Sequence, residues 1–116
     1  MTGRKGRQTV DWFRRQEKAP PSRTPAADAV RRRVVFYGQV QGVGFRWQAA
    51  NLARGLGLTG WVRNRDDGTV EMEAQGPKGD LDALLADLRH LRYARVDRME
   101  VSDLATAPER EFRVTY

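Results

Sequence analysis

The chain has 116 residues, a formal net charge of +6, one histidine and no cysteine. That length suits one domain with some chain to spare. The missing cysteines exclude disulfides and thiolate metal sites, and a lone His90 excludes a histidine cluster or a triad built on two histidines. No run of about 18 apolar residues occurs and no apolar core follows the basic start, so neither a spanning helix nor a secretory signal is predicted, and the cytoplasm is the expected location.

The charge is uneven. Residues 1–33 hold ten Lys or Arg against three acids, whereas residues 34–116 hold eleven against twelve. The basic balance therefore belongs to the first third of the chain, and charge alone does not make the rest a nucleic-acid binder. Residues 1–32 show no sustained period and include the proline-rich stretch KAPPSRTPAADA. They read as a disordered basic extension, the one part expected to contact nucleic acid.

Order is expected from Arg33. The run VVFYG reads as a buried strand closed by Gly38. A glycine loop follows, then Ala49, Leu52, Ala53 and Leu56 at helical spacing, with Gly55 and Gly57 ending the helix. TGWVRNR reads as a second strand, DDG as a hairpin turn, and TVEMEAQG as a strand whose Glu71, Glu73 and Gln75 form a wet face. Asp80 is placed to cap a second helix with Leu81, Leu84, Leu85, Leu88 and Leu91 on one stripe. ARVDRMEV reads as a strand with a bulge between Val96 and Met99. EFRVTY closes the chain, with Phe112, Val114 and Tyr116 expected on one face. The order β-α-β-β-α-β plus a last strand predicts an α+β, ferredoxin-like two-layer sandwich, mostly antiparallel, with both helices on one face.

The stretch GQVQGVGFRW, residues 38–47, carries the chemistry. Gly42 and Gly44 let successive backbone amides turn toward one point, the following helix adds its unpaired N–H groups, and Arg46 adds a planar guanidinium. These devices converge on a phosphate or a carboxylate. The competing reading is a tight strand-to-helix turn with a surface arginine. The loop lacks the Gly-Lys-Ser/Thr end of a Walker loop and the third glycine of a dinucleotide fingerprint. Asn64, near the end of the second strand, reads by itself as a turn residue. Asp66 and Asp67 read as turn formers, His90 as a surface residue, and Trp47 and Trp61 as packing or cleft-lining side chains.

GQVQGVGFR and GWVRNRDDGTV, with Arg46 and Asn64 eighteen residues apart, resemble the two signature segments of the acylphosphatases. The resemblance covers about residues 33–116. It departs at Gln39, where a basic residue is more usual, and in the long N-terminal extension. It implies hydrolysis of acyl phosphates to a carboxylate and inorganic phosphate, without metal or cofactor. It also implies phosphate binding by Gln41, Gly42, Val43, Gly44, Phe45 and Arg46, with Arg46 and Asn64 catalytic. Acyl phosphate as substrate, phosphate as product and competing ligand, and a monomer are the expected partners and state, with no membrane. The rival from another class is a non-enzymatic ferredoxin-like module binding an anion through the loop or RNA through sheet aromatics; a carbamoyl-phosphate-handling domain of a larger hydrogenase maturation protein is a third.

Overall fold

The computed structural model describes residues 26–116, and the expectations for residues 1–25 lie outside them. β1 (Ala29–Gln39) begins ahead of Arg33. The three arginines that masked it alternate as strand residues do. Arg31 and Arg33 meet Glu73 and Glu71 on one face, and Arg32 meets Asp82 on the other. Each charge finds a partner, so the run behaves as a strand despite its polarity.

α1 (Phe45–Gly55), β2 (Thr59–Asn64), β3 (Val70–Pro77), α2 (Lys78–Arg89), β4 (Arg95–Leu104) and β5 (Phe112–Thr115) follow. The five strands form one sheet in the order β4-β1-β3-β2-β5. Every pairing is antiparallel except β2 with β5. This is the expected ferredoxin-like sandwich with an added edge strand. Among the described residues no helix is long and apolar enough to cross a membrane.

One face of the sheet meets both helices. Val34, Phe36, Val62, Met72, Ala74 and Phe112 bury there against Ala49, Ala50 and Ala53 of α1 and Leu81, Leu84 and Leu88 of α2. The alanines let α1 lie close to the strands. Each fully buried leucine contributes roughly 1.5–3 kcal/mol. Leu85 and Leu91 of the predicted stripe are half-buried at its margin. Asp80 is not the cap of α2: the helix starts earlier, with Pro77 at the N-cap, and Asp80 sits in the first turn where its charge suits the helix dipole.

The predicted bulge lies on β4. Tyr37 pairs with Arg98 and Gly38 with Val96, so Asp97 is the extra residue. Gly38 does not close β1, which runs on through Gln39. Its φ of 133° is one that side chains rarely adopt, and a Cβ there would fall 2.1 Å from the Arg95 carbonyl oxygen. Glycine is required by the backbone of the neighbouring strand.

The other face of the sheet is not simply wet. Glu71 and Gln75 are buried: the β4–β5 connection reaches Gln75, and two arginine side chains flank Glu71. Gln75 exchanges two hydrogen bonds with the backbone of Ala107, each 2.8 Å. Arg31, also buried, donates to Glu73 at 2.9 Å and to Glu109 at 2.8 Å. Glu71 accepts from Arg33 at 2.6 Å and Arg63 at 2.9 Å. The alternation of TVEMEAQG marks this polar face correctly, but not the chain that covers it.

Burial alone would push the Glu71 carboxyl up, but hydrogen bonds from Arg63 and Arg33, with their charges, outweigh it and hold the group below the usual glutamate range. Its contribution to stability is therefore complete above the ordinary pKa of about 4.3 and lost as pH falls through the lower folded value. In urea titrations Glu71→Gln is expected to cost about 1–2 kcal/mol at pH 7 and less as pH falls below the ordinary glutamate range, the arginines' partial exposure limiting the effect. A cost independent of pH would rule out the ion pairs as its source.

Candidate active site

β1 and α1 are joined by residues 40–44, and both ends of that loop are anchored. Val40 is buried at its start. Phe45 is buried at the end, its ring edge-on to Phe36 with centroids 4.9 Å apart. Between them Gly42 and Gly44 take φ values of 75° and 78°. A Cβ at either would meet nothing within 4 Å. These two glycines are thus needed for handedness, not for room, which separates them from Gly38.

Gly44 is the N-cap of α1 and supplies no side-chain cap; the first turn contains no acid. The first helical bond joins the Gln48 amide to the Gly44 carbonyl. The amides ahead of it point out of the helix end, where the dipole is positive. Arg46 stands in this turn. Its Nη1 donates to the Thr115 carbonyl at 3.0 Å, and its guanidinium carbon lies 4.7 Å from the centre of the Tyr116 ring. Most arginines of the domain face a carboxylate, but Arg46 forms no ion pair among the described residues. A carbonyl and an aromatic face orient it without neutralising it.

Asn64 ends β2. The register places it opposite Val70, which in turn pairs with Phe36 of β1. One row across three strands thus carries the asparagine to the loop. Arg46 and Asn64 line the same cavity of about 200 Å³, together with Gly42, Gly44 and Trp47. The Asn64 Oδ1 is buried and has no hydrogen-bond partner among the described residues.

Of the residues predicted to hold phosphate, Gly42, Gly44, Phe45 and Arg46 line the cavity, while Gln41 and Val43 do not. Val43 packs against the core. The Gln41 side chain reaches across to the hairpin and donates to the Arg65 carbonyl at 2.7 Å and the Thr69 carbonyl at 2.9 Å. It ties the glycine loop to the segment that follows Asn64. Asp67 shapes that segment by accepting from the Thr69 amide and hydroxyl, a turn role rather than one of a catalytic pair. The same bonds hold the Asp67 carboxyl below its usual range. His90 is exposed, as expected.

Tyr116, Val114 and Val40 also line the cavity, and sequence reasoning missed them. Tyr116 lies beyond β5 and is 99% exposed, not on a face shared with buried Phe112. Only the parallel pairing of β5 with β2 brings it to Arg46, and no local pattern encodes that register. Trp61 is not at the cavity; Arg63 lies over its ring at 5.8 Å.

A ferredoxin-like sandwich whose first strand-to-helix loop turns a helix N-terminus and an arginine toward one cavity has the elements of an anion site. The sequence profile of the acylphosphatase family matches residues 32–114. An acylphosphatase of Koribacter versatilis is 49% identical over 87 residues, 72% of this chain and 77% of the relative. Another, from Geobacillus thermodenitrificans, is 44% identical over 85 residues, 72% of this chain and 90% of the relative. The crystal structure of acylphosphatase from Bacillus subtilis superposes with a TM-score of 0.72 at 32% identity, covering 75% of this chain and 99% of that one. The chain belongs to the acylphosphatase family.

Gln41→Ala leaves the hairpin carbonyls one donor short and frees the loop. It is expected to lower stability by about 1–2 kcal/mol in urea unfolding. Phosphate affinity should fall with it, read by calorimetric titration at a temperature where the variant is folded. Unchanged affinity would mean that the loop holds its shape without this tie.

Proposed function

We propose that this member of the family hydrolyses acyl phosphates with Arg46 and the amides of the glycine loop holding the phosphoryl group and Asn64 orienting the attacking water. The observation that carries the proposal is the meeting of an unpaired guanidinium, an uncapped helix end and an asparagine with an orphaned oxygen around one cavity.

The substrate is a mixed anhydride whose leaving group is a carboxylate. Its conjugate acid has a pKa near 4, so departure needs no general acid, and the lone, exposed His90 is no loss. The water oxygen forms a bond to phosphorus while the bond from phosphorus to the acyl oxygen breaks. The carboxylate departs with that electron pair. A loose transition state of this kind asks for positioning and charge stabilisation. Arg46 and the loop amides supply the stabilisation, already oriented before the substrate arrives. Asn64 is a poor proton acceptor, so the water's proton passes to a phosphoryl oxygen.

The reading as an RNA-binding module through sheet aromatics loses its surface, because residues 105–111 cross the helix-free face and its acids are paired.

Hydrolysis of benzoyl phosphate in the presence of EDTA tests the assignment. Arg46→Lys is expected to lose at least about a hundredfold in kcat/KM together with most of its inhibition by inorganic phosphate, since a point charge cannot replace the planar fork. Asn64→Ala is expected to lose kcat by a similar factor while phosphate inhibition changes little. Asn64→Ala with intact kcat and weakened phosphate inhibition would reverse the two roles.

A further inference from the structure

We infer that Trp47 and Tyr116 form an acyl-binding lip that selects acyl phosphates with a flat aromatic acyl group over short aliphatic ones. The inference rests on the acylphosphatase reading and adds the class of substrate.

Size is the first argument. The cavity holds about 200 Å³. Sites that enclose a whole drug-sized ligand are larger, roughly 300–1,000 Å³. With the phosphoryl group held against Arg46 and the water against Asn64, the acyl group lies toward the mouth.

What stands at the mouth is the second argument. Trp47 is 67% exposed and Tyr116 is 99% exposed, yet both line this cavity. Single exposed aromatics need no explanation. Two of them beside Arg46 form a composite surface, polar within and aromatic at the rim. Val114, half-buried beneath, extends the apolar side. An aromatic acyl group leaving the cradle would meet ring faces and exclude water there, whereas an acetyl group is too small to reach across them. The position of Trp47 explains why it is free to act in this way. It follows Arg46 in the first turn of α1, where Phe45 already fills the core side, so the indole is directed away from the core.

Tyr116 also packs on Arg46, so its loss would disturb the phosphate clamp. Trp47 is the side chain that separates acyl recognition from phosphate binding. The experiment compares kcat/KM for benzoyl phosphate and acetyl phosphate in the full chain, in Trp47→Ala and in Trp47→Phe, with the inhibition constant of inorganic phosphate measured in each. The ratio of the two substrates is the readout, because it cancels any general change in turnover. It is expected to fall about five- to tenfold in Trp47→Ala and to recover to within about twofold of the wild type in Trp47→Phe. A ratio unmoved by Trp47→Ala, whether both substrates slow equally or neither does, overturns the aromatic lip and leaves the acylphosphatase assignment standing. A folded wild-type protein that turns over neither anhydride overturns that assignment, and the lip with it.

Discussion

The site depends on one row of residues across the sheet. Phe36, Val70 and Asn64 are paired in register through β1, β3 and β2. Phe36 holds Phe45 at the start of α1 and so fixes where the cradle begins. Asn64, at the far end of the same row, is carried to the cradle's open side. A slip of one residue in either pairing would turn Asn64 to the opposite face and expose the core of its strand. The hydrophobic pattern that builds the core therefore also sets the geometry of the site. Gln41 adds a direct tie between loop and hairpin, which removes the freedom the loop would otherwise have.

The rest of the domain can be read as support for that row. α1 and α2 bury one face of the sheet, and the crossing from β4 to β5 is fastened over Gln75 and Arg31 on the other. That crossing delivers β5 beside β2, in parallel, and with it the Thr115 carbonyl that orients Arg46. The buried Arg31 with Glu73, Glu109 and Gln75 is the fastening under the crossing. A charged group in that position is costly unless it is paired, and removing any one partner leaves the others exposed to that cost.

Much of this was legible in the sequence, for identifiable reasons. Local periodicities marked both helices and the strands, and the slip between Val96 and Met99 marked the bulge. The glycine loop announced its left-handed turns through Gly42 and Gly44. The residues that were misread share a different property: their roles are set by neighbours distant in the chain. Arg31 and Arg32 look like the end of a basic tail until Glu73 and Asp82 are placed opposite them. Gly38 looks like a terminator until the Arg95 carbonyl is brought against it. Tyr116 looks like the last residue of a face until parallel pairing sets it over Arg46. Asp80 was misplaced for a local reason, because α2 starts at Lys78 behind an unusual proline cap.

The open space around Gly42 and Gly44 has a consequence for how this fold can be altered. Asparagine enters left-handed backbone more readily than other side chains, and an unfolded chain carrying it has fewer states to lose than one carrying glycine. The loop is therefore limited by handedness alone and could be stiffened without crowding it. Gly38, pressed against the Arg95 carbonyl, leaves no such choice.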